Sequence, residues 1–150
     1  VTGTTPKGVA NEAFNPLATA ITLNGGFVAR SYAADKEHLA RMIQAAIRHE
    51  GFALIDILQP CPSFNRINTY QFYRSRVYDL NADENYDPTD RQIAWSKSWE
   101  WGDRIPIGIF YQVERPTLDS QYSDILATPL VRQEYNKARI QEVIDEYLVG

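Results

Sequence analysis

One cysteine occurs in the 150-residue chain, Cys61, set between Pro60 and Pro62 in the stretch DILQPCPSFN at 56–65. A lone thiol cannot close an intrachain disulfide, and it cannot hold a metal by itself. It can serve as one ligand of a shared metal site, as a nucleophile, as a redox-sensitive group, or as a small buried hydrophobe, the common fate of a free cysteine. The prolines matter physically. Each fixes its own φ, and Pro62 also restricts the backbone of Cys61. The thiol is therefore carried on a stiff loop, which suits a ligand that must not wander. It follows closely on the apolar run FALIDIL at 52–58, at the carboxyl end of a predicted strand. In open α/β sheets that is where ligands gather.

The other chemical readings of Cys61 find less support. A nucleophile needs a base within reach. The only histidines, His38 and His49, both fall on a predicted helix over 35–50 and read as solvated helix residues. No Cys/His spacing suits zinc. No cationic residue adjoins Cys61 in sequence, which weakens a redox-sensor reading. Asp56 interrupts an otherwise apolar run, so it needs a hydrogen-bonding partner or a place near the sheet edge. Tyr70, Phe72, Tyr73 and Tyr78 read as packing residues rather than as a base-stacking platform. LNGG at 23–26 precedes a strand instead of opening a helix, and is a poor phosphate loop.

These residues depend on a small set of elements for their positions. Asn15–Pro16 is a good N-cap and N1 pair for a short helix over 16–23, which Gly25 and Gly26 are expected to end. FVARSY at 27–32 reads as a strand. Asp35 caps the clearest helix, whose apolar face is predicted from Leu39, Met42, Ile43, Ala46 and Ile47, and which Gly51 stops. FALIDIL reads as a strand covered on both faces. Strand, helix, strand over 27–58 is a βαβ unit, so the two strands are predicted parallel and adjacent or near-adjacent, with the helix across one face. A short helix starts near Asn68 or Thr69. Another runs over about 88–100 with Ile93, Trp95 and Trp99 as apolar anchors. IPIGIFYQV at 105–113 joins the same sheet, and a last helix runs from Thr128–Pro129 to about 148 with Val131, Tyr135, Ile144, Tyr147 and Leu148 packing.

The fold class expected is α/β, a parallel sheet with flanking helices. The length suffices for one domain with a real core, and a composition of 44% apolar and 23% charged residues argues against a disordered chain. A net charge of −4 provides no footprint for nucleic acid, and no apolar run approaches the about 18 residues of a membrane span. The single cysteine fits a reducing, cytoplasmic setting.

The residues from NPLATAITLNGGFVARSYAADKEHLARMIQAAIRHEGFALIDILQPCPSFNRINTYQFYRSRVY through DPTDR and WGDRIPIGIFYQVERPT resemble, in order, the C-terminal half of the β subunit of 2-oxoacid:ferredoxin oxidoreductases of the pyruvate and 2-oxoglutarate type. The resemblance covers most of residues 4–118. It implies residues 1–118 as part of a thiamine diphosphate-binding α/β domain, the C-terminal half of that fold, with 119–150 as a tail ending in a helix. It implies an enzyme that decarboxylates a 2-oxoacid oxidatively, forms an acyl-coenzyme A and passes electrons to ferredoxin. The cofactors implied for the complete subunit are thiamine diphosphate, Mg2+ and a [4Fe–4S] cluster. By resemblance Cys61 is one of the four cluster thiolates, and it is the one cofactor-binding residue here, with no catalytic residue in the chain.

The family's CxxC pair and its GDGD diphosphate motif are absent, and in the family they precede the segment where this chain begins. The expectation is a fragment, a separately encoded half or a cleaved product, inactive alone and not binding thiamine diphosphate by itself. Its expected partners are the N-terminal half of the β subunit, the α and γ subunits, ferredoxin, coenzyme A and a 2-oxoacid, with no nucleic acid and no membrane. The alternative is a non-catalytic assembly domain that has kept the fold and lost its cofactors. Apolar surface around Phe64, Ile67, Tyr70 and Phe110 is expected to be left open.

Overall fold

Asn15 and Pro16 open the first helix as their types predict. In the computed structural model, which describes residues 5–121, 128–132, 134 and 137–148, α1 spans Pro16–Thr22, and the Asn15 carboxamide oxygen accepts from the Ala18 N–H at 3.0 Å. The turn after it is made by Leu23 and Asn24, and Asn24 itself takes the left-handed conformation (φ 61°). Gly25 and Gly26 serve a different need. A Cβ on Gly25 would stand 3.1 Å from the Phe52 ring, and one on Gly26 would stand 2.6 Å from His49 Nε2, so both allow close approach rather than an unusual φ.

The sheet follows. Strand β1 is Phe27–Tyr32, helix α2 is Lys36–Arg48 and strand β2 is Ala53–Leu58. The short helix α3 (Tyr70–Arg74) leads into strand β3 (Val77–Asp79); helix α4 (Arg91–Ser98) precedes strand β4 (Ile105–Gln112). The four strands lie in the order β2-β1-β4-β3, with β1 and β2 parallel and in register from Phe27–Ala53 to Tyr32–Leu58. The βαβ unit is thus as the strand–helix–strand spacing implies, and α2 packs across both its strands. The sheet as a whole is mixed, because β4 runs antiparallel to β1 and parallel to β3. Strand β3, only three residues long, has too little alternation to be legible in sequence.

Successive side chains of β1 point to opposite faces. Phe27 and Ala29 meet Met42, Ala45 and Ala46 of α2 on one side. Val28 meets Leu17, Ala20 and Ile21 of α1 and Ala94 of α4 on the other. The result is a layered unit, helix–sheet–helix, with β1 buried at every position. Near the carboxyl ends of β1 and β2, Tyr32, Leu58 and Tyr73 form a further cluster with Ile105 and Ile107.

Several packing expectations are corrected. Strand β2 is an edge strand among the described residues and is half-buried rather than covered on both faces. Helix α2 does not turn Ile43 and Ile47 inward; its sheet-facing stripe is His38, Met42, Ala45 and Ala46, because two alanines let the helix sit close to the sheet. Helix α4 buries Ala94 and Ser98, and leaves Ile93, Trp95 and Trp99 exposed. Small residues allow its near contact with α1, which a tryptophan at either place would block. Phe110 is fully buried against α1, at a bulge where the β1–β4 register shifts by one residue, while Phe64, Ile67 and Tyr70 are exposed as expected.

The chain divides into two compact units, residues 1–115 and 116–150. In the second, Asp119–Gln121 and Leu130–Arg132 are single 3-10 turns, and helix α5 spans Lys137–Leu148. The last helix therefore starts later than Thr128–Pro129 suggests. Ile144, Tyr147, Leu148 and Val131 are exposed rather than packed; Tyr135 lies outside the described residues. No helix among the described residues is long and apolar enough to cross a membrane.

Candidate functional site

Strand β2 ends at Leu58, and the chain then passes through exposed Gln59 and buried Pro60 to Cys61, which is exposed. The thiol is therefore not packed as a core cysteine. Its loop is held by a relay of short-range hydrogen bonds. The Cys61 carbonyl accepts from the Phe64 and Asn65 N–H groups at 3.2 and 2.8 Å. The Asn65 carboxamide accepts from Ile67 and Asn68 at 3.0 and 3.1 Å. Thr69 caps α3 through Phe72 N–H. Finally Tyr32, the last residue of β1, donates its hydroxyl to the Tyr70 carbonyl at 2.7 Å. The far end of the Cys61 loop is thereby tied to the carboxyl edge of the sheet. Burial pushes the Tyr32 phenol above its usual range, with Arg74 opposing, so the hydroxyl stays protonated and able to donate.

Asp56 finds its partner directly across the parallel pair. Arg30 and Asp56 are in register, and Arg30 Nε donates to Asp56 Oδ2 at 2.8 Å. The Arg30 guanidinium lies between the rings of Trp101 and Phe110, with its central carbon 5.3 and 5.6 Å from the ring centres. Two opposite charges at the centres of two neighbouring strands were the available signal. Only the parallel register makes them a pair.

His38 departs from expectation most. It is 2% exposed, not solvated, and its Nδ1 lies 2.8 Å from the Ser31 hydroxyl on β1. Its Nε2 lies 3.9 Å from Asp79 Oδ2. Serine, histidine and aspartate meet here, yet Ser31 is itself fully buried, so no substrate reaches its oxygen and the group is structural. His49 is half-buried over Phe27, with ring centres 5.6 Å apart. Neither histidine is brought to Cys61 by these contacts. Desolvation holds the His38 imidazole below the usual histidine range, with Asp79 and Asp35 opposing in part. The unfolded chain then takes up the proton first as pH falls. This contribution to stability is complete above the unfolded value of about 6.5 and is lost as pH drops through it. Urea unfolding should therefore show a lower midpoint at pH 5.5 than at pH 7.5, and His38→Gln should shrink that difference. An equal pH slope in the variant would place the effect elsewhere.

Among the described residues no three His, Cys, Asp or Glu side chains gather as metal ligands. An exposed thiol on a hydrogen-bonded loop is chemically able to act as a soft ligand. A family profile for the C-terminal part of the pyruvate ferredoxin oxidoreductase beta subunit matches residues 61–126, beginning at this cysteine. A 2-oxoacid:ferredoxin oxidoreductase subunit beta from Sulfolobus sp is 49% identical over 118 residues, covering 73% of this chain and 39% of the relative.

This chain belongs to the family of 2-oxoacid:ferredoxin oxidoreductase β subunits and corresponds to their C-terminal region. The β subunit of the Saccharolobus solfataricus enzyme is 48% identical over a stretch of the same length. A solved structure of a 2-oxoglutarate:ferredoxin oxidoreductase from Magnetococcus marinus, with 2-oxoglutarate, coenzyme A and succinyl-CoA bound, superposes with a TM-score of 0.78 at 33% identity over 93% of this chain. The chain spans 47% of that structure's chain and 39% of the two archaeal β subunits. In β-subunit terms the exposed features are the Cys61 loop and, on the α1/α4 face of the sheet, the surroundings of the Arg30–Asp56 pair.

Proposed function

We propose that this chain supplies the C-terminal part of the β subunit of a 2-oxoacid:ferredoxin oxidoreductase, and that Cys61 gives one thiolate to a [4Fe–4S] cluster whose other three lie outside this sequence. The observation that carries the reading is the exposed thiol on a hydrogen-bonded, proline-framed loop at the carboxyl end of β2, within a chain whose relatives are such β subunits. The complete enzyme, on this reading, acts with thiamine diphosphate and Mg2+ on a 2-oxoacid, forms an acyl-coenzyme A and reduces ferredoxin. The cluster would supply a one-electron relay. The chain's own part is to hold the Cys61 sulfur in place and to offer surfaces to the rest of the subunit and to its partners, with the assembly placed in the cytoplasm.

Anaerobic purification of the complex containing this chain tests the reading. We expect broad visible absorption that bleaches on reduction, with iron and labile sulfide in equal amounts. A colourless, iron-free complex would instead support the assembly-only role. The chain by itself, which gathers no carboxylate cluster suited to Mg2+ among its described residues, should show no saturable uptake of thiamine diphosphate and Mg2+ at micromolar concentrations in calorimetric titration. A clear micromolar Kd would contradict the expected division of the site.

A further inference from the structure

On the α1/α4 face of the sheet a pocket of about 500 Å³ opens between Phe14 at the approach to α1, Trp99 at the end of α4, and Trp101. Arg30, Asp56 and Leu58 line it from the sheet. Arg30 is 4% exposed, and its Nη1 is buried without an acceptor among the described residues. The flanking aromatic faces balance the guanidinium charge but provide no lone pair in the plane of its N–H groups. An unmade bond on a buried charged donor is costly. The neighbouring Asn15 and Ser98 side chains are already committed. Asn15 donates to the Ser98 carbonyl and accepts from Ala18, and the Ser98 hydroxyl donates to the Trp95 carbonyl. The rim is apolar and open, with Phe14 76%, Trp99 55% and Trp101 52% exposed. Buried arginine beside half-exposed tryptophans is the composition of an interface centre.

The charge balance narrows the occupant. Asp56 already neutralises Arg30 at 2.8 Å, so the pair has no net charge with which to attract a free phosphate or carboxylate. What is left is the Nη1 group, its two N–H bonds without an acceptor, in the wall of a pocket with an aromatic rim. A neutral acceptor next to an apolar side chain fits that demand, and a polypeptide segment carries both. The archaeal relatives are long enough to supply one, since this chain covers 39% of them.

We propose that the pocket seats a segment of the β subunit lying outside this sequence: an apolar side chain enters between Phe14, Trp99 and Trp101, and a main-chain carbonyl beside it accepts from Arg30 Nη1. The proposal rests on the β-subunit reading above and names the surface through which this part of the subunit is joined to the rest.

The test uses the intact oxidoreductase complex. A photoreactive p-benzoyl-phenylalanine at position 99, half-exposed in this chain and so compatible with its folding, reports what lies over the pocket. Hydroxyl-radical footprinting of the unmodified complex reports the accessibility of Phe14, Trp99 and Trp101. We expect cross-links to β-subunit residues outside 1–150, and oxidation rates at the three aromatics at least about tenfold below those in the urea-denatured complex, with or without added 2-oxoacid and coenzyme A. Cross-links confined to residues 1–150, to another subunit or to a second copy would overturn the proposal. So would rates only about twofold reduced, or protection that appears only on adding the 2-oxoacid, coenzyme A or inorganic phosphate, which would make this a small-anion site. Iron analysis of the same preparation separates the two readings. Iron with no such cross-link refutes the pocket proposal alone, and the cross-link without iron refutes the cluster assignment alone.

Discussion

Cys61→Ser in the complete β subunit should, on the proposed ligand role, leave a folded protein depleted of its cluster. The substitution exchanges a soft, easily ionised sulfur for a hard hydroxyl that stays protonated at neutral pH. Disturbing residues that merely orient metal ligands costs 10–100-fold in affinity, so removing a ligand should cost at least as much. Iron content should fall well below that of the parent, and ferredoxin reduction should drop about tenfold or more. Thiamine diphosphate content in the same samples should change little. The loop turn itself should hold, because it is the Cys61 backbone carbonyl, not its sulfur, that accepts from Phe64 and Asn65. Parent levels of iron and of ferredoxin reduction in the variant would remove Cys61 from the ligand set.

Gly108→Ala should be among the most damaging single-methyl additions in the chain. Gly108 has φ +111°, where an L-residue is strained by about 1–3 kcal/mol. Its new Cβ would lie 2.5 Å from Asn81 Oδ1 and 2.8 Å from Asp79 Oδ1. Those atoms are not idle. Asn81 extends β3 by a side chain that imitates a strand residue, accepting from Ile109 N–H at 2.7 Å and donating to the Ile109 carbonyl at 3.1 Å. Asp79 Oδ1 accepts from Asn81 N–H at 2.9 Å and holds the turn that presents it. Displacing Asn81 loses two hydrogen bonds worth about 1 kcal/mol each in addition to the strain. The total loss should be roughly 3–5 kcal/mol by urea unfolding. Gly51→Ala is the control, since Gly51 has φ +112° with nothing within 4 Å of a Cβ, and it should cost only the strain, about 1–3 kcal/mol. Equal losses in the two variants would show that the Asn81 clip contributes nothing.

Local chemistry made much of the fold legible. Asn15–Pro16 and Asp35 announce two helix starts by supplying acceptors for orphan N–H groups within three residues, whereas α2 ends at the extended C-cap His49 rather than at Gly51, whose φ of +112° falls in the bend beyond it. The span of residues between FVARSY and FALIDIL is about what one helical crossover needs, so a parallel pair was the natural outcome. Motif order from NPLATA to WGDRIPIGIFY was enough to point to the family. Cys61 stood out for its prolines and for its place after a strand, and that place puts it at the surface.

What the sequence by itself determined, then, were features whose physical causes lie within a few residues: caps, turns, alternation, helix period and the stiffness of the Cys61 loop. The tertiary structure alone decided which apolar or charged residue is buried. Helical spacing predicted Leu39, Met42, Ile43, Ala46 and Ile47 as the inner face of α2, with His38 solvated, whereas the fit of Ala45 and Ala46 against the sheet turns His38 and Met42 inward and leaves Ile43 and Ile47 exposed. Trp95 and Trp99 looked like anchors by size, yet the near contact of α4 with α1 admitted only Ala94 and Ser98. Arg30 meets Asp56 across 26 residues, Tyr32 meets Tyr70 across 38, and Asn15 meets Ser98 across 83. Such pairs carry no local signature, because the energy that selects them, burial of a charge or hydroxyl only where a partner stands ready, exists only once the sheet has brought distant segments together.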